Sequence, residues 1–251
     1  MVGPAAALVF APLVAVLAVR PVPEAPSEKT GAPFSALGAL RFAGPVLACV
    51  AFAQALMNGG PLLVRLFGGT SDQIALLASA LILARTPQYV LSPVVSSLLP
   101  HASRALATEG TAGFDRFVLR AVSAVGAVGI SMLAGTWLLG EWAVGLVYGE
   151  AFEADRGLLV TLAALAALYL LSETLNQALF ALGRGRVAAL GWFVGLPVSV
   201  ICLATLGVGV VERVAYSLSL GVFAATVAQA ALYIALRRRP VPATSRTPSS
   251  P

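Results

Sequence analysis

Seven long apolar runs dictate what this chain can fold into. They cover roughly residues 2–19, 42–67, 73–99, 117–140, 157–182, 187–210 and 214–236. About 20 apolar residues are needed to cross a bilayer core as a helix. Of the 251 residues, 59% are hydrophobic and 11% charged, against about 25% charged in a soluble domain. Such a chain cannot cover a water-facing surface. In lipid every backbone polar group must be satisfied within the segment, so the runs are read as helices. The alternation of barrel strands is absent. The expected fold class is an all-α integral membrane protein of about seven transmembrane helices.

Charge placement gives an orientation. Arg20, Lys29 and Arg41 fall between runs one and two, and Arg104, Arg116 and Arg120 between or at the edges of three and four. Arg184 and Arg186 separate five and six, and Arg237, Arg238, Arg239 and Arg246 follow seven. These twelve of the sixteen basic residues share one side if the runs alternate. The opposite loops hold Asp72, Glu141, Glu150, Glu153, Asp155 and Glu212, with Arg156 and Arg213. The positive-inside rule then puts the N-terminus outside and the C-terminus in the cytoplasm. Fifteen of the sixteen basic residues are arginine, and Ala, Gly and Val abound. That bias suggests a GC-rich bacterial genome, hence the bacterial cytoplasmic membrane.

Residues 1–19 are expected to form a leading transmembrane helix. A signal peptide is the weaker reading, because the stretch has no basic start and no clear small-residue cleavage site. Residues 20–40 are Pro-rich and polar and read as a cytoplasmic linker. Residues 41–237 form a six-helix lobe, and 238–251 a disordered tail rich in Pro, Ser and Thr.

Polar residues inside the runs are the candidate site. Arg85, Tyr89, Ser92 and Ser96 follow i, i+4, i+7, i+11 spacing, with Gln88 beside them, so they share a helix face. Pro87 and Pro93 lie in the same turns and permit a kink. Gln54, Asn58 and Arg65 share a face of the second run across the break NGGP at 58–61. Tyr169, Glu173, Asn176 and Gln177 share one in the fifth. Intramembrane polar stripes face a bundle interior or a water-filled cavity, so the three stripes are expected to line a common lumen. The competing readings are structural. Amides also glue helices together, Arg85 and Glu173 can pair with each other, and Arg65 can snorkel from the outer end. His101 reads as interfacial. Gly191 and Gly195 suit close helix packing.

Other chemistry is sparse. Cys49 and Cys202 are far apart in apolar runs and offer neither a disulfide framework nor a metal spacing. The net charge of +5 belongs to topology and implies no nucleic-acid partner. The spans hold no carboxylate dyad, metal cluster or Ser/His/Asp arrangement, so no enzyme activity, cofactor or metal is expected. Lys29, the only lysine, is in a loop, which argues against a retinal Schiff base. A receptor reading lacks any soluble output domain.

Three stretches carry a resemblance: ALILARTPQYVLSPVVSSLLPHASRALA at 80–107, GLVYGEAFEAD at 145–155 and LFALGRGRVAAL at 179–190. In order and spacing they resemble the C-terminal part of the polysaccharide flippases (Wzx-type) of the MOP exporter superfamily. The likeness covers nearly the whole chain apart from the tail, although each motif is loose. That family has about twelve helices in two lobes, and the seven runs here correspond to the last seven. The resemblance implies a transporter that moves a lipid-linked oligosaccharide or polysaccharide precursor across the membrane. It also implies a missing N-terminal lobe as partner, besides the lipid-linked glycan and membrane lipids. On this reading Arg85, Arg65, Tyr89, Gln88, Asn58 and Gln54 bind substrate and Glu173 couples an ion. The alternatives are another antiporter of the superfamily and an inactive truncated remnant.

Overall fold

A computed structural model describes residues 36–149 and 154–237. The expected leading helix at 1–19, most of the linker, the tail, and Glu150 and Glu153 lie outside the described residues. The chain divides between Ala39 and Leu40 into two units, and the second holds the helical bundle. The helices are α1 (Ala36–Asn58), α2 (Gly60–Leu66), α3 (Ser71–Ser96), α4 (Leu98–Tyr148), α5 (Arg156–Ala181), α6 (Gly185–Thr205) and α7 (Val210–Arg237). No strand occurs among the described residues. Helix α1 begins inside the expected 20–40 linker.

Local sequence sets the starts and breaks. Thr70 caps α3 in a reciprocal box: its Oγ1 accepts from the Gln73 amide at 3.3 Å, and Gln73 Oε1 accepts from the Thr70 amide at 3.0 Å. Asp155 caps α5 by accepting from the amides of Gly157 and Leu158, which satisfies two of the orphan donors of a helix start. Helices α1 and α2 meet at a 60° bend. Pro61 causes it, since proline has no N–H for the carbonyl four residues back and its ring crowds that turn.

Helices long and apolar enough to cross a membrane number four among the described residues, or five if the bent α1–α2 pair is one span. The expected seven are not confirmed. Runs 73–99 and 117–140 fall in one helical stretch, Ser71–Tyr148. That stretch is not straight. Gly110 takes φ 68° and ψ −164°, a conformation open essentially to glycine alone. Beyond it the chain comes back, so that the Tyr148 hydroxyl donates to the Ser79 carbonyl at 3.3 Å.

Helix α5 is the centre. In its apolar 18-residue segment 61% is buried, against 33% in α6 and in α7. It packs on α3, α4 and α7. A polar seam joins α5 to α7: Ser172 and Thr226 hydroxyls meet at 2.7 Å, and the Ser219 hydroxyl donates to the Thr161 carbonyl at 3.1 Å. Helices α6 and α7 touch through glycines, as the Gly191/Gly195 spacing implies. A methyl on Gly195 would stand 2.5 Å from the Gly221 carbonyl oxygen, and one on Gly191 would stand 2.2 Å from Gln229 Cγ. At one end of the bundle Arg156 pairs with Glu141 at 2.6 Å. At the other, Arg237 pairs with Asp115 at 2.7 Å and the Tyr233 hydroxyl donates to the same carboxylate at 2.9 Å.

The surface is apolar where a soluble protein's is polar. Val90, Ile130, Leu138 and Leu146 are all largely exposed, while Gln88, Asn176 and Gln229 are buried. This inside-out distribution, with several long apolar helices, is that of an all-α multi-pass membrane protein.

Candidate functional site

The site grows from a backbone defect. Pro61 has no amide hydrogen for the Met57 carbonyl, its helical partner four residues earlier. Met57 is fully buried, where an unsatisfied carbonyl is costly. Arg85, from α3, supplies the missing donor: its Nη1 lies 3.2 Å from the Met57 carbonyl oxygen. The same nitrogen donates to Asn58 Oδ1 at 2.9 Å, and Nε donates to Gln88 Oε1 at 3.3 Å. Asn58 in turn donates to the Gln54 side chain. The Tyr89 ring lies 5.2 Å from the guanidinium carbon, a cation–π distance.

These contacts fix three of the five guanidinium donors. Arg213 Nε is the only buried side-chain polar atom without a partner among the described residues. Arg85 Nη2 is therefore not sealed in, although the residue as a whole is only 7% exposed. Gln54, Asn58 and Tyr89 around it are exposed. The result is an open polar patch, with a fixed cation at its floor, on an otherwise apolar surface.

Most of the expected substrate-binding set thus comes together: Arg85, Gln88, Tyr89, Asn58 and Gln54. Arg65 does not join it. It lies beyond the 60° bend, and its side chain is exposed without an ion pair among the described residues. The α3 stripe is also split. Arg85 and Gln88 point inward, whereas Ser96 is exposed and its hydroxyl returns to the Ser92 carbonyl at 2.9 Å.

Glu173 belongs to a second cluster. Its carboxylate accepts from Asn176 Nδ2 at 3.1 Å and from Gln177 Nε2 at 2.7 Å. The Asn176 side chain lies 2.9 Å from that of Gln229. Gln229 also stands 3.0 Å from the Trp192 indole nitrogen and 3.1 Å from the Ser172 carbonyl, so one amide bridges α5, α6 and α7. Glu173 and Arg85 form no direct ion pair; the pairs among the described residues are Arg116–Glu109, Arg156–Glu141 and Arg237–Asp115. Tyr169, one turn before Glu173 on α5, lies 5.8 Å ring to ring from Trp192.

Sequence reasoning missed the Met57 carbonyl and Gln229. The first had a signal, the four-residue spacing from Met57 to Pro61. Gln229 had none beyond being a lone amide in an apolar run. His101 is exposed, with Nδ1 2.7 Å from the Ser97 carbonyl. Cys49 is buried and Cys202 half-buried, both as free thiols. Among the described residues no three His, Cys, Asp or Glu side chains gather as a metal group would require. No family model, no curated protein and no solved structure matches the chain.

Proposed function

We propose that the chain is the C-terminal lobe of a flippase that carries a lipid-linked oligosaccharide or polysaccharide precursor across the bacterial cytoplasmic membrane. In this reading the described residues make six passes: α1–α2, the two arms that meet at Gly110, α5, α6 and α7. The C-terminus is cytoplasmic. The observation that carries the reading is the open patch around Arg85. Exposed amides and an arginine at membrane depth need water, a partner or a cargo. The cargo suits them in three parts. Its phosphate takes the free Nη2 edge of a guanidinium already held in place. Its sugar hydroxyls take Gln54, Asn58 and Tyr89. Its tail stays among the apolar outer faces. The missing lobe of the resembled family would close the patch into a cleft, and rocking of the two lobes would alternate access. Glu173, held by Asn176 and Gln177 in a cluster apart from Arg85, is the candidate for ion coupling.

Binding tests this without needing the second lobe. The full chain in detergent is titrated with a fluorescent polyprenyl pyrophosphate saccharide and with the matching free polyprenol. The expected result is preference for the pyrophosphate saccharide. Asn58→Ala should weaken it about tenfold, the order of one charge-supported hydrogen-bond site. Equal binding of the free polyprenol, or no effect at Asn58, overturns the proposal.

A further inference from the structure

A groove that shares no residue with the Arg85 patch lies between α1 and α6. Its volume is about 490 Å³, and it is lined by Pro45, Ala48 and Phe52 on one side and by Leu190 and Phe193 on the other. That volume falls in the range of small-molecule sites, about 300–1,000 Å³. The groove is narrow at its far end, where the Phe52 and Phe193 rings approach to 5.8 Å at a 56° tilt. It is open near its start: a methyl on Gly44 would meet nothing within 4 Å. Its lining is apolar with one exception, Arg186.

Arg186 and its neighbour Arg184 are exposed. Neither has an ion-pair partner among the described residues. Arg186 and Phe193 are seven residues apart on one helix, so the charge sits about 10 Å along the axis from the aromatic end. A cation without a counter-charge at one end of an apolar trough is complementary to a molecule with an anionic head and an apolar body. Basic pockets between membrane helices recognise anionic phospholipid heads in this way. A neutral helix brings no anion, and a zwitterionic lipid brings a phosphate already accompanied by its own cation, so a net anionic head matches the unpaired arginines best.

We propose that this groove binds one anionic phospholipid of the surrounding membrane. Its phosphate pairs with Arg186, supported by Arg184, and one acyl chain lies along Leu190 toward the Phe52–Phe193 pair. The inference needs only the membrane reading and stands apart from the transported cargo.

The test is native mass spectrometry of the full chain in dodecylmaltoside, with dioleoylphosphatidylglycerol and dioleoylphosphatidylcholine offered separately. The wild type should retain phosphatidylglycerol in preference. Arg186→Ala should lower that affinity about tenfold, as loss of a charged hydrogen-bond partner does. Arg120→Ala removes an exposed arginine outside the groove and should change nothing. Ala48→Trp, or Leu190→Trp if the first does not fold, fills the trough and should also remove the preference. Equal retention of both lipids overturns the proposal. So does an Arg120→Ala effect as large as that of Arg186→Ala, or a filled groove that still selects phosphatidylglycerol. A photo-crosslinker at Leu190 should capture lipid; capture of residues 1–35 or of a second copy of the chain means that protein covers the groove and also overturns it.

Discussion

Arg85 donates to the Met57 carbonyl at 3.2 Å, the group that Pro61 leaves without a helical donor. The arginine and the proline are therefore parts of one device. The proline bends the chain and opens a polar patch. The arginine satisfies the buried carbonyl left by the broken ladder and keeps one edge of its guanidinium unbonded.

Arg85→Ala should destabilise the chain by about 1–3 kcal/mol, the cost of a buried carbonyl without a partner. In a Pro61→Ala background, where residue 61 again has an amide hydrogen, the same substitution should cost less. Thermal unfolding of the four variants in detergent measures the coupling. Identical costs in both backgrounds would mean that the guanidinium does not serve the Met57 carbonyl.

The device was half legible in the sequence. The i, i+4 spacing of Arg85 and Tyr89 and the pairing of Gln54 with Asn58 placed most of the patch, because helical periodicity alone fixes which side chains share a face. Periodicity does not carry the shared face of Gln54 and Asn58 on to Arg65, because the helix bends by 60° at NGGP. The seven-run reading merged hydropathy with topology. Hydropathy does not mark the helix that continues past Ser96 to Gly110, since residues 98–109 mix apolar and polar positions. Gln229 stayed hidden because its partners, Asn176, Trp192 and Ser172, are far away in the chain.

The second prediction concerns the α6–α7 contact. Gly195→Leu should destabilise by more than the ~1–3 kcal/mol typical of overpacking, because its side chain would strike backbone, the Gly221 carbonyl, and backbone cannot swing aside. Gly145→Ala is the counter-case. A methyl there meets nothing within 4 Å in the last turn of α4, so it should be neutral or stabilising by up to about 1 kcal/mol. Unfolding temperatures of the two variants should move in opposite directions or differ clearly in size.

The turn at Gly110 gives the third. With φ at +68° and ψ at −164°, any side chain is strained whatever the space around it. Gly110→Ala should cost about 1–3 kcal/mol although nothing lies within 4 Å of the new methyl. The check is thermal unfolding beside Gly145→Ala. Equal stability of the two would show that the chain reverses elsewhere.

Three side chains that meet at one carboxylate should rank clearly when each is removed. Asp115 accepts from the Tyr233 hydroxyl at 2.9 Å and pairs with Arg237 at 2.7 Å, tying the start of the returning arm of α4 to the end of α7. Tyr233 is 7% exposed, so its hydroxyl depends on this partner. The Arg237 side chain is 54% exposed and the Asp115 side chain 17%. Water replaces much of what Arg237 loses, and Arg237→Ala should cost less than about 1 kcal/mol. Tyr233→Phe removes the hydroxyl itself and should cost about 0.5–1.5 kcal/mol. Asp115→Ala strands that hydroxyl in a poorly hydrated place and releases Arg237 as well, so it should cost most, about 1–3 kcal/mol. In the double variant Asp115→Ala with Tyr233→Phe the costs should sum to less than the two singles, since the stranded donor is gone. Additive losses would mean that the hydroxyl and the carboxylate do not meet, and that the Arg237–Asp115 pair and the Phe114–Tyr233 ring contact hold α4 to α7 at this end.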